Sequence, residues 1–213
     1  MVCSYCHREG HTNSKKKPCT QEPLASPDPV TPEILRTRYN RLREFEMAEI
    51  KDDENFGYKT RRNGLPDHIS ENIIKFVIHN KLNDSSCTWG CKVGDLYSDK
   101  SKIIECKSLT SDGPTSFGPK QKWNVIYFLD AREWLDDKLV IWQCSLPNTD
   151  DVWKNIEVKK GQTKAEQGDA GRRPRINWDS LYSQISEHCN IVYEGTFEGI
   201  FIKPSTKAPS ARR

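Results

Sequence analysis

The 213-residue chain has no long apolar run. No stretch approaches the ~20 residues that a membrane-crossing helix needs, which excludes a helical membrane span. Hydrophobic residues make up 35% and charged residues 30%, and the mean hydropathy of −0.80 fits a polar surface around a modest core. A basic region followed by an apolar stretch is also missing from the start, Met1 to Cys6, so neither a signal peptide nor an anchor is expected and the protein reads as intracellular. Nor is there the dense, even cysteine framework of a secreted scaffold. The eight cysteines, at positions 3, 6, 19, 87, 91, 106, 144 and 189, cluster first and then scatter, which fits a reducing compartment and metal use. A large excess of either charge is absent too, the net being +3. Positive charge is nevertheless gathered in Lys15-Lys16-Lys17, in Arg172-Arg173 with Arg175, and in the tail Lys203 to Arg213. Local basic clusters in a near-neutral chain suggest a polyanionic partner, although ordinary solvated charge explains composition alone equally well.

The length suits one domain with an appendage. Residues 1–19 are rich in Cys and His, and 20–30 read as an extended linker because of Pro23, Pro27 and Pro29. Residues 31–202 form the main domain, and 203–213 read as a disordered basic tail adding nonspecific attraction. Thr31 and Pro32 open a helix, with Leu35, Tyr39, Leu42 and Phe45 at helical spacing toward Ile50. A second helix runs over 65–77, with Ile69, Ile73, Phe76 and Val77 on one side and Glu71 near its polar face. Lys92 to Tyr97 and Lys102 to Lys107 predict a β-hairpin turning at 98–101. The apolar runs 124–129 and 139–142 predict central strands covered on both faces. Helical pattern returns at 181–188, and Gly199 to Ile202 is expected to close the sheet. The chain shows no internal repeat, and the expected class is α/β or α+β, a central mixed β-sheet flanked by helices.

The N-terminal spacing is Cys3-x2-Cys6-x4-His11-x7-Cys19, four ligands able to surround one Zn²⁺ tetrahedrally. So short a segment has no core of its own, and metal binding would supply its folding free energy, on the order of 10 kcal/mol or more. His7 competes with His11, but the x4 interval favours His11. The segment resembles the CCHC zinc knuckle in its first three ligands and in Gly10; the interval to Cys19 is seven residues where that motif has four. A second site built on Cys87-x3-Cys91 lacks two further ligands nearby, so these read as packing cysteines.

Gly94-Asp95-Leu96 and Ile104-Glu105-Cys106-Lys107 place an acid in one strand of the hairpin and an acid and a lysine in the next. Alternation puts Glu105 and Lys107 on one face and Cys106 on the other, and Asp95 can reach the same end of that face across the turn. Two carboxylates with a carbonyl and waters make the hard oxygen environment that Mg²⁺ prefers. Beside them a lysine suits phosphodiester hydrolysis, in which a water is held and developing charge is stabilised. On spacing alone a surface hairpin with ordinary ion pairs fits as well. Ile103 and Ile104, directly before Glu105, set the charges at the edge of a core, where unpaired acids are costly.

With these residues in view, the chain resembles the PD-(D/E)XK nuclease superfamily, and within it the type II restriction endonucleases. The matching pieces are Ile69-Ser70-Glu71-Asn72, Gly94-Asp95-Leu96, Glu105-Cys106-Lys107, Ser116-Phe117-Gly118-Pro119 and Trp123 to Asp130, spread over about residues 56–202. Gly94 stands where the superfamily name has proline. The resemblance implies a restriction-endonuclease-like fold, Asp95 and Glu105 as Mg²⁺ ligands, Lys107 as the catalytic lysine and Glu71 as a further acid. A zinc knuckle ahead of such a nuclease is similar to proteins encoded by large DNA viruses.

Two loops carry residues suited to DNA. Ser116, Lys120, Gln121 and Lys122 follow the catalytic strand, and Arg172, Arg173 and Arg175 lie in a loop stiffened by Pro174; both kinds of side chain serve phosphates or base edges. Double-stranded DNA is the expected partner, and a homodimer most simply meets a symmetric duplex site. The alternatives are a repair or junction-resolving nuclease, and a noncatalytic zinc-knuckle binding protein.

Overall fold

The computed structural model describes residues 30–59, 63–90, 94–118 and 121–203. The expected zinc ligands Cys3, Cys6, His11 and Cys19, almost all of the linker, Lys120 and the tail from 204 onward lie outside the described residues.

Helix α1 spans Pro32–Phe56, with proline at a first-turn position where its missing N–H costs nothing. It runs past the expected end near Ile50, because no breaker precedes Gly57. Its docking is narrow. Leu35 and Tyr39 are buried, and Tyr39 stacks on Phe197 with ring centroids 3.8 Å apart. The Tyr39 hydroxyl donates to the Trp134 carbonyl at 3.0 Å, and Arg43 Nε donates to the Leu135 carbonyl at 2.8 Å. Farther along, the buried positions are polar: Glu46, which accepts from Asn63 Nδ2 at 3.0 Å, and Asp53. Phe45, read from the sequence as part of the apolar face, is 53% exposed. It sits about 100° around the helix from Glu46, one residue being that much of a turn.

Helix α2, Asp67–Asn80, is buried at Ile69, Ile73, Ile74, Val77 and Ile78, more sides than one amphipathic stripe provides. It packs on α1 and on the sheet. Downstream come strands β1 (Thr88–Trp89), β2 (Leu96–Ser98), β3 (Lys102–Leu109), β4 (Thr115–Ser116), β5 (Val125–Asp130) and β6 (Leu139–Cys144). Helix α3 (Asp151–Asn155), strands β7 (Glu157–Lys159) and β8 (Gln162–Thr163), helix α4 (Lys164–Asp169), strand β9 (Arg175–Ile176), helix α5 (Trp178–Ile185) and strand β10 (Cys189–Gly195) follow.

Six strands form one sheet in the order β1-β2-β3-β5-β6-β10. Strands β3 and β5 run parallel and the other neighbours antiparallel, so the sheet is mixed, as expected. The predicted hairpin forms with Leu96 opposite Ile104 and Tyr97 opposite Ile103. Its first strand starts at Leu96, leaving Asp95 just ahead of the strand instead of inside it. In β5, Ile126, Tyr127, Phe128 and Leu129 are all fully buried, so both faces of the sheet are covered. One cover is an aromatic cluster joining Phe117, Trp123 and Trp153 to Phe128, Trp178 and Leu181. Truncating such a ring to alanine costs about 3–5 kcal/mol.

The outer edge differs from expectation. Gly199 to Ile202 does not close the sheet; β10 does, with a register shift between Ile191 and Tyr193. Residues 198–201 form a 3₁₀ turn whose carbonyls are capped from α2 and its end: Asn80 Nδ2 donates to Ile200 at 3.0 Å and Lys81 Nζ to Gly199 at 2.8 Å. Side chains of the α2 end thus satisfy backbone groups that a strand would have paired in the sheet.

Candidate active site

Strand β3 supplies the centre. Glu105 is opposite Ile126 and Lys107 opposite Phe128 in the parallel register, so alternation sets the acid and the lysine on one face. Lys107 Nζ donates to Glu105 Oε1 at 2.5 Å, with side-chain exposures of 16% and 3%. Burial pushes the Glu105 carboxyl above its ordinary value, while Lys107 pulls it back.

Asp95 reaches this strand through backbone geometry. Gly94 takes φ of +76°, a left-handed conformation open to glycine and barred to proline. A Cβ there would fall 2.7 Å from the Ile103 side chain and 2.8 Å from the Ile104 carbonyl oxygen. Position 94 therefore requires glycine. The Asp95 N–H donates to the Ile104 carbonyl at 2.9 Å, and Asp95 Oδ2 accepts from the Cys106 N–H at 2.7 Å.

Glu71 comes from α2. Burial foremost, then the charges of Asp95, Asp67 and Glu105, push its carboxyl up to about 7. All three acids and Lys107 line a cleft of about 560 Å³. Among the described residues no group of three or more His, Cys, Asp or Glu side chains is arranged to hold a metal ion. The oxygen donors at hand are the carboxylates of Asp95 and Glu105, with Glu71 near enough to feel both.

The two expected DNA-facing loops meet here. Strands β4 and β9 pair antiparallel with Ser116 opposite Arg175, and the Phe117 N–H donates to the Pro174 carbonyl at 3.0 Å. Ser116 and Arg175 both line the cleft; Arg172 and Arg173 are exposed and do not line it, and Lys122 is exposed. Gln121 is committed inward. Its amide nitrogen donates to Glu105 Oε1, its amide oxygen accepts from the Gly118 N–H at 2.5 Å, and its carbonyl accepts from Asn148 Nδ2 at 2.9 Å. Gln121 lines the cleft together with Ser116 and Arg175; its bond to Glu105, sixteen residues upstream, is a tertiary contact that no local pattern announces.

Two residues at the cleft escaped the sequence reading. Asp67 adds to the charge on Glu71. Ser108 lines the cleft with a buried hydroxyl that has no hydrogen-bond partner among the described residues. Neither stands at a spacing that signals chemistry. Cys87 and Cys106 are buried free thiols, in keeping with packing roles; Cys91 lies outside the described residues.

No solved structure matches the chain. Among curated proteins, the Type II restriction enzyme Bsp6I of Bacillus sp. (strain RFL6) is 33% identical over 133 residues, which cover 61% of this chain and 68% of that protein. The Bsp6I restriction endonuclease family matches residues 39–187, a span that takes in Glu71, Asp95, Glu105, Lys107 and both loops at the cleft. A match of that extent, together with the identity to a member, assigns the chain to the Bsp6I restriction endonuclease family.

Proposed function

We propose that this chain is a type II site-specific endodeoxyribonuclease of the PD-(D/E)XK kind, hydrolysing phosphodiester bonds on both strands of double-stranded DNA with Mg²⁺. The observation that carries the reading is the convergence of Asp95, Glu105 and Lys107, from two chain segments, in one cleft bordered by the β4/β9 ribbon.

The donor set fits the metal. Lys107 and Gln121 both engage Oε1 of Glu105 and the Cys106 N–H engages Oδ2 of Asp95, so among the described residues each carboxylate is oriented through one oxygen. Two such hard donors, completed by water, suit Mg²⁺. When bound, the ion supplies charge neutralisation at the scissile phosphate and makes water more acidic. The residues do the rest: Lys107 brings a cation to the charge that develops on phosphate, Gln121 holds Glu105 in place, and Arg175 and Ser116 orient the duplex at the cleft mouth.

Cys3, Cys6, His11 and Cys19 hold a structural Zn²⁺, the active form is a homodimer, and the protein works inside the cell. Incubation of the purified protein with plasmid DNA and Mg²⁺, followed by sequencing of the ends, tests the main reading. Cuts at one defined sequence support it; no cutting, or cutting that follows DNA structure instead of sequence, overturns it. Metal analysis of protein prepared without chelator tests the zinc, for which one ion per chain is expected.

A further inference from the structure

Helix α1 presents a second stripe, turned about 100° from its docked face. It runs Ile34, Arg38, Arg41, Phe45, Glu49, Asp52, Phe56, every member exposed, with Ile34 at 39%, Phe45 at 53% and Phe56 at 71%. The steps along it are four, three, four, four, three and four residues, an 11-residue period that keeps a stripe almost straight on an α-helix. Among the described residues the α1 ion pairs are those of Arg36, which lies off this stripe and engages Glu33 and Glu198.

The stripe is its own complement. Its basic residues lie in the first half and its acidic residues in the second, at equal distances from Phe45. If a second copy of α1 is laid antiparallel with a two-fold axis at Phe45, Arg38 falls opposite Asp52 and Arg41 opposite Glu49. Ile34 then meets Phe56, and the two Phe45 rings meet on the axis. Each contact occurs twice, as an isologous interface requires. A parallel alignment in register would instead set arginine against arginine and acid against acid, which repels. The matched stripe extends about 33 Å along the helix, with apolar side chains at its centre and both ends.

We infer that the exposed stripe of α1 is a dimerisation surface whose occupant is α1 of a second copy of this chain, paired antiparallel about Phe45. It gives the proposed cutter of both strands its two-fold axis and rests on that reading only for its purpose, since pairing needs neither DNA nor metal.

The test is sedimentation equilibrium of the full-length protein without DNA or Mg²⁺. Wild type is expected to be dimeric. Phe45→Asp, the double variant Arg38→Glu/Arg41→Glu and the double variant Glu49→Arg/Asp52→Arg should each weaken the dimer by at least about tenfold. Mixing the two charge-swapped variants should restore a dimer containing one chain of each, because every opposed pair is then again of opposite sign. Far-UV circular dichroism reads the fold of each variant; should Phe45→Asp unfold, the charge variants and their mixture carry the test. A wild type monomeric at high micromolar concentration, single variants that dimerise as wild type, or a mixture that forms no mixed dimer would each overturn the proposal. Plasmid cleavage is scored separately, so its loss would count against the nuclease reading and leave this one standing.

Discussion

The carboxylate of Asp95 accepts a hydrogen bond from the Cys106 N–H at 2.7 Å, which clamps an acid from before the hairpin onto the strand between Glu105 and Lys107. Asp95→Asn keeps an oxygen acceptor for that N–H and removes the charge. The fold should therefore survive while cleavage falls by roughly a hundredfold or more, a loss of the size seen when one transition-state contact is removed. Glu105→Gln and Lys107→Met should lose cleavage likewise, with metal-free DNA affinity maintained or raised for the acid variants, because carboxylates facing phosphate repel it. Cleavage and gel-shift assays on the same proteins check both halves; a Glu105→Gln or Lys107→Met protein that cuts at the wild-type rate would remove the chemical basis of the reading.

Gln121 joins the loop at the cleft to Glu105. Gln121→Ala should reduce cleavage while leaving DNA affinity nearly unchanged, and should cost stability roughly 2–4 kcal/mol, since one hydrogen bond to a buried carboxylate and one from a backbone N–H are lost together. A variant with weakened binding and an unchanged single-turnover rate on saturated DNA would return Gln121 to a DNA-reading role.

The left-handed backbone of Gly94 is needed to aim Asp95. Gly94→Ala is expected to destabilise the protein by at least roughly 1–2 kcal/mol, the cost of that conformation for a residue with a Cβ. The crowding against Ile103 and Ile104 adds to it, and cleavage should fall as Asp95 shifts. Denaturant titration and cleavage rates measure the two effects; a Gly94→Ala protein as stable and active as wild type would refute both.

Of the three arginines in the basic loop, Arg175 is the one at the cleft. Arg175→Ala should weaken DNA binding more than Arg172→Ala or Arg173→Ala, by roughly 1–3 kcal/mol if it reads a base, with discrimination lost at one position. If it contacts phosphate, all sequences weaken alike and the salt dependence flattens. Binding isotherms at several salt concentrations separate these cases, and equal, negligible effects at all three positions would take the loop out of the interface.

The raised Glu71 carboxyl gives the metal-free protein a pH dependence of known sign. The unfolded chain releases this proton near the ordinary value of 4.5 and the folded chain near 7. Stability from this group is therefore full below the lower value and is lost as pH rises through the upper one. Glu71→Gln should remove that slope and make the chelated protein relatively more stable above neutrality. Denaturant midpoints in chelator, acidic and alkaline of neutrality, provide the check; identical slopes in the two proteins would show that Glu71 is not the source.

Local pattern alone determined a good deal of this protein. Alternation at Glu105, Cys106 and Lys107 fixed which side chains share a face, helical spacing announced α1 and α2, and the apolar runs at 124–129 and 139–142 marked the buried strands. These are properties of a few consecutive residues, governed by the two- and 3.6-residue periods of the backbone. What joins distant segments was decided by tertiary structure. Strand pairing set Ser116 beside Arg175, and helix packing brought Glu71 into range of Asp95 and Glu105. The segment directly ahead of β5 sets Gln121 on Glu105. At the sheet edge β10 closes in place of residues 199–202, and docking through Leu35 and Tyr39 left Phe45 facing solvent. Each depends on how packed elements divide the available apolar surface and satisfy buried polar groups across long chain separations, and periodicity within one segment carries no record of that choice.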